Sequence, residues 1–526
     1  MLKMKNFIKL LSISSLLILS SCSEDFISNT PYTQQVEDNF YQTPADAYKG
    51  LIAVYDVLQR EGYGGFLMST EIASDNCYGG FGTADNTESL DWDRFQFIFN
   101  KEMNNPVWQT CYIGIYRANV LLEHLDNVEW GADTALRARY EAEARFLRAH
   151  FHFELARVFG DIVPLDHTLT EGEYESPRAP ADVTYALIAN DFKFAIENLG
   201  SENYSQPNNN NYGRVTKWAA EAYAAKAFLF YTDYYNKPDL AGVISKTQAT
   251  DYINDVVNNS GHALVDNFAS LWVAASVSEA VPYAGEGNTE NVFAIRYNSS
   301  GNANWNLNEG NRFQVNIAIR GGNIGPYNQG WGGAPVTPAL FGAYAPGDTR
   351  RDATIIDFAG ENLAFDADTR GQRQYTGYAW KKFCPIADVV AGGGGDFQID
   401  NYEDYPVIRF ADVLLMAAEL NLDSNTGLAQ TSLDRVRARA FGDDTHSVAV
   451  SKASIMNERR FELALEGQRY FDLIRQDMNT TKAAIDATDM GGEFIQNFRT
   501  ETQGWLPLPQ SQILLSNGAI TQNPGW

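Results

Sequence analysis

Seven aromatic side chains lie among glycine and asparagine, outside any helical stripe: Tyr78, Trp92, Trp272, Tyr283, Trp305, Tyr327 and Trp331. An aromatic residue in a helical stripe serves the core, but one in a Gly/Asn loop has no stripe to serve. A flat ring can stack on the apolar face of a sugar, and amides or carboxylates beside it can hydrogen-bond the hydroxyls. Asp75, Asn76, Asn304, Asn306 and Asn328 stand close enough in sequence to do this. The expected ligand-binding set is Asp75, Asn76, Tyr78, Trp92, Trp272, Trp305, Tyr327 and Trp331. Two or three of the seven rings are expected to touch ligand, with the others pinning loops to the body.

Other chemistry has thinner support. His150 and His152 are two apart on a predicted helix, so their side chains diverge by about 200° and cannot share a metal. They read as partly buried or surface residues. There is no HExxH, no GxSxG and no P-loop lysine motif, and the glycines at 79, 80 and 82 lead into no Lys-Ser pair. The run Asp396, Asp400, Glu403, Asp404 lacks the regular D-x-D-x-D-G calcium loop and reads as a solvated acidic turn, with calcium as the competing reading. No metal ligands or cofactors are assigned. Carboxylates are plentiful, but nothing local fixes the separation that a glycosidase pair needs.

The first segment sets the compartment. Lys3, Lys5 and Lys9 precede a short apolar run over residues 10–20, and Leu19, Ser20, Ser21 and Cys22 follow. The layout is that of a secretory signal and is too short for a spanning helix. No later stretch holds about 18 uninterrupted apolar residues. Loss of residues 1–21 takes the net charge from −26 to −29. So acidic a chain repels nucleic acid and anionic headgroups, and no nucleic-acid role is expected. Beyond Cys22 three cysteines remain, Cys77, Cys111 and Cys384. A Cys77–Cys111 bridge is permitted, but sequence does not select it.

These residues need a scaffold. Residues 22–45 read as a tether and 46–526 as one domain. Helical spacing marks 46–60, 108–126, 135–159, 181–199, 215–235 and 250–259. Residues 262–405 are rich in Gly, Asn and aromatics and read as a ligand-binding insertion of long loops with a few short strands. Helices return at 407–421, 428–441, 451–476 and 480–488, within a C-terminal part covering 406–526. The fold class is mainly α, with about four tetratricopeptide-like helical pairs and long irregular insertions. Within 451–476, three pairs are spaced to bond across one turn: Arg459 with Glu462, Glu466 with Arg469, Asp472 with Arg475. Gly467 falls mid-helix, at a cost of about 1 kcal/mol.

The segment Asn457–Arg475 (NERRFELALEGQRYFDLIR) resembles the signature of the SusD/RagB family of outer-membrane nutrient-binding lipoproteins. PVIRFADVLLMAAE at 406–419, LDRVRARA at 433–440 and the terminal LPLPQSQILLSNGAITQNPGW fit the same pattern. So do YRANVLLEHL, EARFLRAHFHFELARVFGDIVPL and GRVTKWAAEAYAAKAFLFY in the first half, and the Asp348, Arg350, Arg351 turn. The resemblance implies cleavage before Cys22, lipidation of that residue, and an outer-membrane location facing the exterior. It implies a glycan ligand, a SusC-like TonB-dependent transporter as partner, and no catalysis. A peptide ligand is the alternative within the family. A secreted glycoside hydrolase and a scaffold that binds only proteins are the alternatives outside it.

Overall fold

A computed structural model describes residues 40–96, 104–204, 213–299, 304–305, 309–386 and 396–526. Cys22, the signal segment, most of the tether, Asn306 and the glycines at 392–395 lie outside these.

The N-terminal half is a sequence of helices: α1 Pro44–Tyr55, α2 Glu61–Ile72, α3 Asn105–His124, α4 Thr134–Phe159, α5 Ala181–Asn198, α6 Lys217–Tyr235 and α7 Lys246–Asn259. Their starts are chemically specified. Thr43 and Asp46 form a capping box at α1, with Pro44 in the first turn. Asp133, Thr216 and Ser245 cap α4, α6 and α7. Gly160 ends α4 at φ 71°, and an added Cβ there would meet the Trp505 ring at 2.5 Å. Close packing sets the spacing too. A Cβ on Gly114 of α3 would stand 2.3 Å from the Phe151 ring of α4. The alanine-rich α6 is buried from Trp218 to Tyr231.

α8 Phe410–Asn421 and α9 Thr426–Phe441 complete the stack. α1 packs on α3 and α4, and from α3 to α9 each helix packs on its successor, α7 meeting α8 across the whole insertion. The order reads as four successive pairs: α1/α3, α4/α5, α6/α7 and α8/α9. The insertion is short-stranded, as expected. β1 Asn291–Ile295 pairs antiparallel with β6 Tyr405–Arg409, which runs directly into α8. β2 Ile319–Arg320 and β3 Gln329–Gly330 are parallel, and β4 Ile355–Asp357 and β5 Tyr378–Trp380 antiparallel.

The signature segment is not one helix. α10 Lys452–Glu462 stops, Leu465 and Gly467 take φ of 65° and 71°, and α11 Arg469–Ile474 follows before α12 Met478–Asp486. Gly467 therefore carries no mid-helix cost; it turns the chain, and a Cβ on it would stand 2.7 Å from Leu67. Of the three pairs expected across one turn, only Asp472–Arg475 forms, at 3.0 Å. Arg459 instead bonds Asp412 and Asp472, and Glu466 receives Lys382 and Arg409, each at 2.7 Å. The break frees these side chains to reach buried partners. Glu462 accepts from Arg350, Arg409 and Arg439, and Glu458 from Arg350 and Arg437. With Glu290 on Arg409 and Arg439, this is a buried, interlocked charge network.

Candidate functional site

The residues expected to bind ligand separate into two groups. Six of the eight are interior: Asp75, Asn76, Tyr78, Trp92, Trp272 and Tyr327. Asp75 follows α2 and accepts from Arg469 at 2.7 and 2.9 Å and from Arg460 at 2.8 Å. Burial pushes its carboxyl up, and the two guanidinium groups more than offset this, leaving it below the usual range. Asn76 donates to Glu71, whose other oxygen accepts the Gly467 N–H, and burial raises Glu71 to about 7. The Tyr78 hydroxyl donates to the Thr488 carbonyl at 2.6 Å. Trp272 packs on Phe268 and Phe383, with Lys382 4.9 Å and Arg409 5.6 Å from its ring. Tyr327 donates to Glu361 at 2.6 Å. All six side chains are buried in the body of the protein. Asn328 is buried too, and Tyr283 is held on Glu286 at 2.5 Å.

Trp305 and Trp331 behave differently: both are half-buried, and both are tied to the same short stretch of chain. The short helix Phe313–Ile317 lies between them. At its start Arg312 donates to the Trp305 carbonyl and lies 5.8 Å from that ring. At its end the Trp331 N–H donates to the Val315 carbonyl at 2.8 Å. The two tryptophans are thus tied through their backbones to one short helix and the arginine that precedes it. Arg312 and Asn316 share one side of it, and the Asn316 amide donates to the Arg312 carbonyl.

The loop carrying Trp331 is held firmly. Arg320 donates to the Trp331 carbonyl at 3.0 Å, to the Arg370 carbonyl at 3.0 Å and to Asp85 at 3.0 Å. A Cβ on Gly82 would stand 1.9 Å from the Arg320 guanidinium, so a larger residue here would displace that side chain. The Gln372 amide donates to the Gly332 carbonyl at 2.9 Å, and a Cβ on Gly333 would meet the Phe81 ring at 2.6 Å. Around Trp331 stand an exposed carboxylate, a guanidinium and an amide: Asp85, Arg320 and Gln372. Sequence reasoning did not select these three. Their one signal is position, since each flanks a glycine-bearing turn.

The arrangement can stack a flat apolar face and bond hydroxyls at its edges. His150 and His152 are fully buried rather than at the surface, and burial lowers each pKa to about 3, so both rings are neutral at neutral pH. Asp400, Glu403 and Asp404 are buried, which corrects the reading of a solvated turn. Glu403 accepts from Gln314 at 2.5 Å. Among the described residues no group of three or more His, Cys, Asp or Glu is placed to hold a metal ion. Cys77, Cys111 and Cys384 are free and buried.

Two family models match the chain. One, described as the SusD family, covers residues 289–526. The other, described as starch-binding associating with outer membrane, covers residues 25–229. A SusD-like protein of Bacteroides ovatus is 25% identical over 480 residues, 87% of this chain and 80% of that protein. Among solved structures, a laminarin-binding SusD-like protein has a TM-score of 0.78 at 28% identity, covering 92% of this chain and 100% of that one. Surface glycan-binding protein A from Bacteroides uniformis has a TM-score of 0.73 at 26% identity, covering 91% and 99%. With the signature segment, the helical stack and both halves matched in order, the chain belongs to the SusD/RagB family.

Proposed function

We propose that this protein is a surface glycan-binding lipoprotein that captures an oligosaccharide and passes it to a SusC-like TonB-dependent transporter without cleaving it. The observation that carries the reading is the pair of half-buried indoles, Trp305 and Trp331, at the two ends of one short helix with Arg312, Arg320, Asp85 and Gln372 beside them. Stacking supplies affinity and the polar edges supply orientation. That the 28%-identical structural relative is a laminarin-binding SusD-like protein makes laminarin oligosaccharides the first ligands to try. Cys22 is the proposed lipid attachment, holding the protein at the outer membrane.

Calorimetry with oligosaccharides of laminarin and starch tests this. The expected result is binding of at least one, with no new reducing ends. Release of product, or no binding of any neutral glycan at millimolar concentration, overturns it. Metabolic labelling with a palmitate analogue should mark wild type and not Cys22→Ser. Co-purification from outer membranes should bring down a TonB-dependent barrel.

A further inference from the structure

A second cavity, of about 320 Å³, lies away from both indoles. Its walls come from the start of α4, the end of α5, the start of α6, the segment after α7, and β1. The size falls in the range of small-ligand sites, about 300–1,000 Å³, with room for roughly one or two sugar rings.

Its chemistry is distinct from that around Trp331. Arg139, Arg214 and Arg296 line it, in a chain whose net charge is −26. Arg139 donates through Nε to Glu143 at 3.0 Å, and Arg214 grips both oxygens of the same carboxylate through Nε and Nη2. Tyr55 donates to Glu143 as well. Two guanidinium groups thus share one buried carboxylate, Glu143. Among the described residues, Nη1 and Nη2 of Arg139 and Nη1 of Arg214 have no hydrogen-bond partner. Arg296 is paired with Asp404 at 2.5 Å. Tyr204 stacks on His262 at 4.4 Å, and the Trp218 indole donates to the Glu202 carbonyl, placing two flat rings in the wall. Glu202 is the exposed carboxylate of the rim, and Glu286 is tied to Tyr283 and to the Asp404 N–H. Guanidinium forks match oxyanions in two-point contact.

We infer that this cavity is a second ligand site, selective for a sugar that carries an oxyanion, either a uronate carboxylate or a sulfate ester, held by Arg139 and Arg214. The sugar part rests on the function proposed above, whereas the oxyanion part does not. The site would let one receptor hold a neutral stretch of chain at Trp331 and a charged substituent at the arginines.

The test uses the whole protein labelled with fluorinated tryptophan, with the Trp218 and Trp331 resonances assigned by substitution to phenylalanine. The probes are a galacturonate oligomer, a sulfated glucan oligomer and a neutral glucan oligomer of equal length. At least one acidic oligomer should shift the Trp218 resonance, and comparing the two identifies carboxylate or sulfate as the preferred group. Arg139→Gln leaves Glu143 held by Arg214 and Tyr55, and should weaken the acidic ligand about tenfold while leaving neutral binding unchanged. If acidic and neutral oligomers act alike at Trp218, if acidic ones shift Trp331 alone, or if none binds at millimolar concentration, the inference falls. Should Arg139→Gln fail to fold, the wild-type Trp218 shift decides. A neutral oligomer that leaves Trp331 unmoved counts against the proposed function instead, and leaves the Trp218 result standing.

Discussion

Asp75 and Asp85 are ten residues apart, and both bind arginine, yet they belong to different kinds of structure. Asp75 is 3% exposed between Arg460 and Arg469, whereas Asp85 is 49% exposed against Arg320. Trp272 and Trp331 repeat the contrast: one indole is sealed in the core, and the other is half-buried at the end of a short helix. The same residue types build the frame in one region and present a surface in the other. What separates them is how many buried partners each side chain has, and sequence spacing carries little of that information.

Breaking the frame should cost most. Glu462→Gln leaves Arg350, Arg409 and Arg439 short of a shared buried carboxylate and should lower stability by about 3–5 kcal/mol. Thermal denaturation followed by circular dichroism measures this, and an unchanged midpoint would show that the network is not needed. Trp272→Ala should fall in the same range, about 3–5 kcal/mol, by opening a core cavity. Trp331→Ala should do the reverse, with a small change in midpoint and about a tenfold loss of glycan affinity by calorimetry, as for loss of one stacking contact. A large stability loss there would place Trp331 with Trp272.

Smaller effects sharpen the contrast. Asp85→Asn breaks a half-exposed pair and should cost under about 1 kcal/mol, while Asp75→Asn leaves two buried guanidinium groups uncompensated and should cost several times more. Equal costs would erase the distinction. The pH dependence comes last. His152 is pulled down to about 3 by burial; its Nδ1 bonds the Arg148 carbonyl, and its Nε2 accepts the Leu165 N–H. The depressed value favours the neutral ring in the folded state. That contribution is complete above the ordinary value of about 6.5 and is lost as pH falls towards 3. Between pH 7 and pH 5 the wild-type melting midpoint should therefore fall relative to that of His152→Gln, and a constant difference between the two would contradict this.

The stack was legible because its cues are local. Apolar spacing placed α1 and α4 to within a few residues. The helix at 61–72 was not anticipated, since three glycines fill its first turn and mask its periodicity. The continuous helix expected through 451–476 was wrong, because partners on distant elements break it: Lys382, Arg409 and Asp75 draw Glu466 and Arg469 to opposite sides. Of the expected binding set, Trp305 and Trp331 stay at the surface while six residues are interior. A glycine-rich neighbourhood identifies loops, but it does not distinguish a ring that faces water from one that anchors the loop beneath it. Arg320 and Gln372 became visible only through their bonds to the carbonyls beside Trp331.

The antiparallel pairing of β1 with β6, together with α7 resting on α8, closes the insertion at its base. Arg350 and Lys382, inside the insertion, also bond Glu458, Glu462 and Glu466, so the stretch is stitched to the body above its base as well. Exchanging this stretch for that of another family member would therefore have to preserve Arg350 and Lys382, or it would leave Glu458, Glu462 and Glu466 buried without these partners.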